Sequence, residues 1–437
     1  MNSRTRLIGL ALALSFVLAV TVWWALRTPP GRRLTLADGR VLTLAGVSYG
    51  TEHRFVHGSP FARTLAPILP PAWRTKLGLK TAFLKRDRPT LMVWVMWRGG
   101  DASPRELTDA SVLDDRGIEC EPIRSQATLY LYDQPQGAIR GWEFAHFPRR
   151  AERIALRLYT RGAAYNPDRL AEFQVPNPAP RRYAEWKASP LPITARSGAW
   201  AFALAQFTTG EPIPDRDKPA RGWIAPWTSA TFQVASNGQP SRAWTVAGVE
   251  LTDATGNTAH AYRSAASSLE GQPVFGLSAA LWPDEPAWKL RVEFSRIADF
   301  APDERVSLPP IPVPEPDTHS LIHTQMTVQG ATFSGKLLAH LAVPASIGNI
   351  RARAELVVSL VPVEGLRLRL VRAADDRGRE LRHLPGYAET SGAHNFWLEL
   401  PADARTLDLT FAVTRSRFLE FVARPEFVRT NRVPIRP

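Results

Sequence analysis

Two adjacent carboxylates in the segment "SVLDDRGIECEP" (residues 111–122) are the first candidates for chemistry in this chain. Paired carboxylates can share general acid and general base work, and carboxylate oxygens at alternating positions can bind calcium. Asp114 and Asp115 are direct neighbours, so in a strand or turn their side chains point apart and do not meet at one substrate atom. The alternating oxygens of a calcium loop are also missing. The segment therefore predicts a turn rather than a catalytic or metal site.

Two pairs of histidines have the four-residue spacing of metal ligands on one helix face. They are His53 with His57 and His319 with His323, and neither pair has a third ligand or the glutamate of a zinc-protease motif. The sequence also lacks the nucleophile elbow, phosphate-binding loop and dinucleotide-binding motifs. The single cysteine, Cys120, excludes a disulfide framework and a cysteine-based metal site. We therefore predict no catalytic residue, no cofactor and no metal, and an enzyme is the least favoured class.

The turn of the opening segment has two further copies, in "LTDATGNT" and "AADDRGRE". In each copy an aspartate stands three residues before a glycine, and apolar residues precede it. Aspartate favours the first position of a type I turn, and glycine supplies the positive φ of a hairpin closed through a bulge. The predicted turn residues are Asp114 and Gly117, Asp253 and Gly256, and Asp375 and Gly378.

The segments that follow the three turns also correspond. Each turn is followed by an aromatic segment that ends in proline, then by a strand of alternating apolar residues, then by a hydroxyl residue and arginine. The aromatic segments are "GWEFAHFP", "PVFGLSAALWP" and "HNFWLELP". The alternation has the period of a half-buried strand. The same order of features in three places predicts an internal repeat of about 120–140 residues.

Short strands with turn signals about every 8–12 residues predict a mainly β chain. We expect an N-terminal transmembrane helix followed by three tandem antiparallel β-sandwiches. Their general shape resembles immunoglobulin-like or fibronectin-III-like modules, and this architectural likeness implies no function. The predicted units are 1–33 (cytoplasmic stub and anchor), 34–178 (first sandwich, with a short helical insertion at 57–80), 179–189 (linker), 190–309 (second sandwich), 310–318 (proline-rich linker) and 319–437 (third sandwich).

The N-terminal segment 7–26, "LIGLALALSFVLAVTVWWAL", is uncharged and mostly apolar. A helix of about 20 residues spans a hydrocarbon core of about 30 Å. A cleaved signal peptide would have an apolar run of about 7–15 residues and a small-residue cleavage site, whereas this run is longer and ends without one. We therefore expect an uncleaved signal anchor, a single-pass protein, and the bulk of the chain outside the cytoplasm, periplasmic or on the outer face of the cytoplasmic membrane.

The net charge of +13 raises the question of an acidic partner. A surface that binds nucleic acid concentrates its lysines and arginines in a patch or run, whereas here the arginines are scattered along every segment. This scattered distribution of arginines is typical of solvated faces, so nucleic acid is not the partner we expect. Attraction to an acidic envelope polymer or to the membrane surface stays open.

Two segments are candidates for contact with a partner. In the insertion 57–80, Phe61 and Trp73 occupy apolar positions among basic residues; it is either a basic amphipathic segment on the membrane or a helical cap over an edge of the first sandwich. Arg221, Trp223 and Trp227 lie in a proline- and glycine-rich loop, "ARGWIAPWTS", where exposure is expected. The tryptophans within predicted strands are expected in the core.

Three functions fit these observations to different degrees. The leading hypothesis is a non-catalytic, membrane-anchored envelope protein whose sandwiches form a scaffold or spacer for contacts with a protein partner. The alternative is a module that binds glycan or another acidic envelope polymer through arginines and loop aromatics. An enzyme with an unrecognised site comes last.

Overall fold

The structure, a computed structural model, describes residues 32–57, 70, 73, 76, 80–99, 107–115, 118–120, 129–134, 137–160, 168–180, 182–210, 228–261, 267–269, 272–277, 281–315, 318–328, 331–339, 345–347, 350–360, 365–388 and 393–428. The predicted anchor at 7–26, most of the insertion 57–80 including Phe61, and Gly117, Arg221, Trp223 and Trp227 lie outside these residues. Among the residues described, we find no helix that is both long and apolar enough to cross a membrane.

The chain is mainly β, and its strands form several antiparallel sheets, which confirms the predicted fold class at this level. A 3-10 helix covers Pro302–Glu304. Within the predicted helical insertion, Trp73 and Lys76 have helical conformation, and the Trp73 N–H donates to the Pro70 carbonyl at 3.0 Å.

The first sandwich has two sheets, with strand orders β1-β2-β3-β7-β6 and β5-β4-β8-β9. Its strands are β1 (Arg33–Thr35), β2 (Val41–His57), β3 (Lys80–Arg98), β4 (Leu107–Leu113), β5 (Glu119–Cys120), β6 (Leu129–Gln134), β7 (Gly137–Phe144), β8 (Arg153–Thr160) and β9 (Asp168–Pro176). Alternate residues of both sheets, such as Val93 and Val95 from one and Leu156 and Leu158 from the other, share one buried core.

Strands β2 and β3 continue beyond the sheet as a hairpin, residues 51–57 and 80–85, which we call the arm. The register shifts between Gly50 and Glu52, and Gly50 has a φ of +148° that favours glycine. Beyond this point the arm lies over the outer face of its own sheet. The Phe55 ring stacks on Trp94 at 4.8 Å and contacts Gly46, so a small second core forms beneath the arm.

The second sandwich begins with nine strands. They are β10 (Ile193–Ser197), β11 (Trp200–Gly210), β12 (Thr228–Ser236), β13 (Gln239–Pro240), β14 (Trp244–Asp253), β15 (Thr258–Ala261), β16 (Ser267–Leu269), β17 (Gln272–Leu277) and β18 (Trp288–Arg296). One sheet has the order β10-β11-β12-β17-β16, with β13 on β12, and the other contains β15-β14-β18. Phe202 and Phe232 from the first sheet meet Phe294 from the second in a shared core.

The remaining strands are β19 (Arg305–Ser307), β20 (Ile311–Pro312), β21 (His319–Val328), β22 (Ala331–Ala339), β23 (Ala345–Ile347), β24 (Ile350–Ala352), β25 (Ala354–Leu360), β26 (Leu366–Asp375), β27 (His383–Ala388), β28 (Ala393–Leu398), β29 (Thr406–Arg415), β30 (Arg417–Ala423) and β31 (Glu426–Val428). The third sandwich packs the sheet β21-β22-β25-β28-β27 against a sheet in which β29 lies between β26 on one side and β19 and β20 on the other. Within the described part of the chain, strands β23 and β24 pair with each other and with no further strand.

The second and third sandwiches exchange strands. In the first sandwich, β8 pairs with β9, the next strand along the chain. The corresponding place beside β18 is filled by β30 from the C-terminal part of the chain, and the place beside β29 is filled by β19 and β20, which directly follow β18. Strand β31 adds a parallel pairing with β11 of the second sandwich.

These pairings differ from the predicted boundaries at three points. Strand β19 lies in the segment assigned to the second sandwich (190–309), and β20 lies in the segment assigned to a linker (310–318), but both pair with β29 of the third. Strands β30 and β31 lie within 319–437 yet belong to the sheets of the second sandwich. The reason is physical: an alternating apolar pattern specifies a half-buried strand but not the sheet that the strand joins.

Candidate functional site

The three aspartates that begin the predicted turns make the same pair of hydrogen bonds. Each backbone N–H donates to the carbonyl four residues later, and each Oδ1 accepts the N–H of that residue. The pairs are Asp114 with Ile118, Asp253 with Asn257 and Asp375 with Arg379, with Oδ1···N distances of 2.8, 3.0 and 2.9 Å. Gly256 and Gly378 have φ angles of +89° and +74°. Asp115 is exposed whereas Asp114 is buried, so the two adjacent carboxylates do not form one site.

The turn of the second copy, residues 253–257, docks against the loop between β7 and β8, residues 145–150. We call this contact the first joint. Asn257 pairs with the backbone of Phe147 in both directions: its Oδ1 accepts the Phe147 N–H and its Nδ2 donates to the Phe147 carbonyl, each at 3.1 Å. Both residues are buried, so this contact holds the second sandwich against the first.

Arg149 is the central side chain of the first joint and is 3% exposed. Its Nη1 donates to the Thr255 carbonyl at 2.8 Å and to the Tyr49 hydroxyl at 2.9 Å. Its Nη2 donates to the carbonyls of Pro89 and Ala145 at 3.0 and 3.1 Å. All four acceptors are neutral, and burial lowers the pKa of Arg149. The guanidinium therefore connects its own loop to β2, to β3 and to the turn 253–257 of the second sandwich.

The close approach at this joint also requires the glycine of the turn. A Cβ on Gly256 would lie 3.0 Å from Arg149 Nη1, and the positive φ disfavours any side chain there. Gly378, the corresponding residue of the third copy, has nothing within 4 Å of the same position. The turn in the second copy thus serves as a contact surface as well as a hairpin.

Two ion pairs lie at the rim of the first joint. Arg150 Nε donates to Glu285 Oε1 at 2.6 Å, and Arg88 pairs with Glu250. Burial raises the pKa of Glu285, although the hydrogen bond from Arg150 acts in the opposite direction. Arg150 also donates to the Ala184 carbonyl at 2.9 Å, so the predicted linker 179–189 packs against this joint.

The second joint lies between the second and third sandwiches and is built around another ion pair. Arg367 Nε on β26 donates to Glu293 Oε1 on β18 at 2.6 Å. Burial raises the pKa of Glu293, but the hydrogen bond from Arg367 and the positive charges of Arg367 and Arg291 act together with Ser416 to hold this pKa below its ordinary value. Arg369 Nε donates to the Arg296 carbonyl at 3.0 Å. The two sandwiches are thus joined by side chains as well as by the exchanged strands.

A chain of hydrogen bonds lies between the arm and the sheet beneath it. Ser48 Oγ lies 2.8 Å from His53 Nδ1, and His53 Nε2 lies 3.0 Å from Thr90 Oγ1. Thr90 Oγ1 donates to Glu143 Oε1 at 3.0 Å, and Arg86 pairs with Glu143 at 2.6 Å. Burial raises the pKa of Glu143, but the hydrogen bonds from Arg86 and Thr90 outweigh it and keep this pKa below its ordinary value.

The ionised carboxylate of Glu143 determines which group donates in each of these hydrogen bonds. Glu143 only accepts, so Thr90 donates to it and accepts from His53 Nε2–H, which leaves Nδ1 to accept from Ser48. A serine that donates to a neutral imidazole is one element of nucleophilic catalysis. Here, however, His53 is fully buried, and the bonds link β2, β3 and β7, so we interpret the chain as a clamp that holds the arm. Both His53 nitrogens are occupied by hydroxyl groups.

The predicted contact residues are placed as follows. Trp73 is 59% exposed, and Phe83 on the arm is exposed to the same extent. Phe61, Arg221, Trp223 and Trp227 lie outside the described residues. No group of three or more histidine, cysteine, aspartate or glutamate side chains suited to a metal ion occurs in the part of the chain that the structure describes.

The residues of the joints were not found by sequence reasoning. One signal was present: the fifth residue of the turn is Ile118, Asn257 and Arg379 in the three copies, and only the second copy has a side chain that can pair with a backbone in both directions. The partner of Asn257 is 110 residues away in the chain, so its identity needed the fold.

Comparisons with known proteins add little to this description. The chain matches no protein-family model and no curated protein. Among solved structures it is similar to the cycloalternan-forming enzyme from Listeria monocytogenes in complex with pentasaccharide substrate. That likeness covers 74% of this chain and 29% of the other, with 8% sequence identity and a TM-score of 0.15. Similarity at this level carries no argument about fold or activity.

Proposed function

We propose that this protein is a non-catalytic, membrane-anchored scaffold or spacer of the cell envelope, with the bulk of the chain outside the cytoplasm. In this proposal its three β-sandwiches, of immunoglobulin-like or fibronectin-III-like shape, hold protein partners at a set distance. The anchor is the apolar segment 7–26. A spacer needs units that keep one relative arrangement, and the joints are the features that support this requirement.

The strand exchange is the observation that carries the proposal. Separating the second sandwich from the third requires β30 to leave β18, or β19 and β20 to leave β29, because β29 and β30 are one residue apart in the chain. Strand β30 buries Phe421 and Ala423 in the core of the second sandwich, and β19 buries Val306 in the core of the third. Full burial of one large apolar side chain is worth about 1.5–3 kcal/mol, so the exchange opposes separation strongly.

The first joint supports the same proposal by a different means. Arg149 and Asn257 connect the first and second sandwiches through buried hydrogen bonds. Breaking a buried hydrogen bond to a charged group leaves a costly unpaired partner, which favours one docked arrangement over a flexible tether.

The proposal is tested by distance measurement in the full chain. Spin labels are placed at Ala37→Cys and Ala402→Cys, both exposed, in a Cys120→Ser background, and double electron–electron resonance gives the distance distribution between the first and third sandwiches. We expect one narrow distribution. A broad distribution contradicts a rigid spacer.

A second measurement separates the spacer from polymer binding. Retention of the protein on peptidoglycan or polysaccharide that is lost in Trp223→Ala or Trp227→Ala would favour the polymer-binding alternative and count against the scaffold. We expect no such retention.

A further inference from the structure

His146 lies on the docking loop of the first joint, directly before Phe147 and three residues before Arg149, which both bond to the second sandwich, and it is 5% exposed. Its Nδ1 has no hydrogen-bond partner within the described residues, and the same holds for Arg149 Nε. A buried imidazole normally uses both nitrogens in hydrogen bonds, so a buried Nδ1 without a partner beside a buried cation is unusual. This joint therefore contains a titratable group that its packing does not satisfy.

The surroundings of His146 favour its neutral form. Burial and the positive charge of Arg149 lower the pKa of His146 from 6.5 to about 4. At neutral pH the imidazole carries no charge and the joint holds a single buried cation at its centre. Protonation would add a second cation next to the first, in surroundings that are already poorly solvated.

The other ionisable side chains of the joint cannot compensate for this added charge. They are Tyr49 on β2, Arg88 on β3, Arg150 on the same loop, Tyr183 in the segment after β9, and Asp253, Glu250 and Glu285 on the second sandwich. Glu250 is paired with Arg88. Asp253 Oδ1 accepts from the N–H and hydroxyl of Thr255 and from the Asn257 N–H, and its Oδ2 accepts from Asn257 Nδ2. Glu285 is paired with Arg150, and burial raises the pKa of Tyr183, which stays neutral.

We propose that protonation of His146 opens the first joint, so that mild acid releases the first sandwich from the second while each sandwich stays folded. The inference rests on the proposed function, because it regulates the joint that makes the scaffold rigid. It concerns the first joint alone, because the second and third sandwiches are also held together by exchanged strands.

The direction and size of the effect follow from linkage. A histidine whose pKa is lowered in the docked state stabilises docking fully above its ordinary pKa of 6.5, and this stability is lost as the pH falls from 6.5 towards 4. If the imidazole regains its ordinary pKa in the open joint, the equilibrium constant for opening rises about 20-fold between pH 7 and pH 5.

The experiment measures the joint directly in the full chain. Spin labels at Ala37→Cys and Gln239→Cys, exposed residues of the first and second sandwiches, report their distance by double electron–electron resonance between pH 8 and pH 4, in the Cys120→Ser background. We expect a narrow distribution at pH 8 that broadens between pH 6.5 and pH 4. In the matched variant His146→Gln, which removes the titration, the distribution should be independent of pH down to about pH 5.

Each outcome decides between defined alternatives. A broad distribution already at pH 8 contradicts the rigid scaffold itself. A narrow distribution at pH 8 that stays narrow to pH 4, or that broadens equally in His146→Gln, leaves the scaffold intact and overturns the acid-sensitive joint. Should His146→Gln fail to fold, hydrogen–deuterium exchange at the histidine C2 position in the otherwise unchanged chain gives the pKa of His146. A value near 6.5 would overturn the proposal.

Discussion

The exchange of strands leads to a prediction that a linear arrangement of three domains would not make. Phe421 lies near the C-terminus on β30, yet it is 1% exposed in the core of the second sandwich, where its ring is 6.1 Å from that of Phe232 on the opposite sheet. Removing a buried phenylalanine ring costs about 3–5 kcal/mol because it leaves a cavity. Phe421→Ala should therefore destabilise the second sandwich by this amount, rather than the third, which adjoins it in sequence.

Hydrogen exchange measured by mass spectrometry locates the effect. A loss of about 3 kcal/mol raises the opening constant of the affected backbone amides by roughly a hundredfold or more. We expect this loss of protection in β12 and β18, residues 228–236 and 288–296, which face or pair with β30. The strands of the third sandwich that lie farthest from the exchange, β22 and β25, should keep their protection at first.

A matched substitution provides the control. Phe411 lies ten residues earlier on β29 and is fully buried in the core of the third sandwich, with its ring 5.9 Å from Phe396. Phe411→Ala should reduce protection in β22 and β25 and leave β12 unchanged. If Phe421→Ala and Phe411→Ala both reduce protection only in the third sandwich, β30 does not belong to the second, and the exchange is wrong.

Three further predictions concern single sites. Thr90→Val removes the hydroxyl at the middle of the arm's hydrogen-bond chain and should lower the free energy of unfolding by about 2–3 kcal/mol in urea titrations, since it leaves buried polar partners unpaired; an unchanged midpoint would contradict the clamp. Gly256→Ala and Gly378→Ala both place a side chain at positive φ, at a cost of about 1–2 kcal/mol. Gly256→Ala should lower the melting temperature more, because its added methyl group also approaches Arg149. Equal shifts in melting temperature would show that the approach to Arg149 does not affect stability. Burial and nearby arginines lower the pKa of His394 to about 4, so the third sandwich should lose stability as the pH falls from 6.5 towards 4. In His394→Gln, the hydrogen-exchange protection of β25 should no longer depend on pH in this range. An unaltered pH dependence in this variant would rule out His394 as the cause.

Much of the local structure could be predicted because its causes are local. The side-chain hydrogen bonds that shape the turns run from Asp253 and Asp375 to residues two and four positions later, so residue type and spacing are enough to specify the turns. The strand after each turn follows from its period-two pattern, which depends on burial of one face and not on the neighbour that covers it. The mainly β fold class was therefore predictable.

What the sequence by itself determined is thus the mainly β fold class, through strands of period two separated by turns. The tertiary structure alone decided which sheet each strand joins and which turn became a joint. Leu419 and Phe421 stand on either side of Glu420 in a short strand that could join either sandwich. Pairing with β18 and packing of Phe421 against Phe232 assign it to the second. In the sequence Arg149 is one of many scattered arginines. Its role becomes visible only in the fold, where the carbonyl of Thr255, 106 residues away, accepts its hydrogen bond. Periodicity encodes burial, whereas the choice of partner depends on shape and on polar groups that are far apart in the chain.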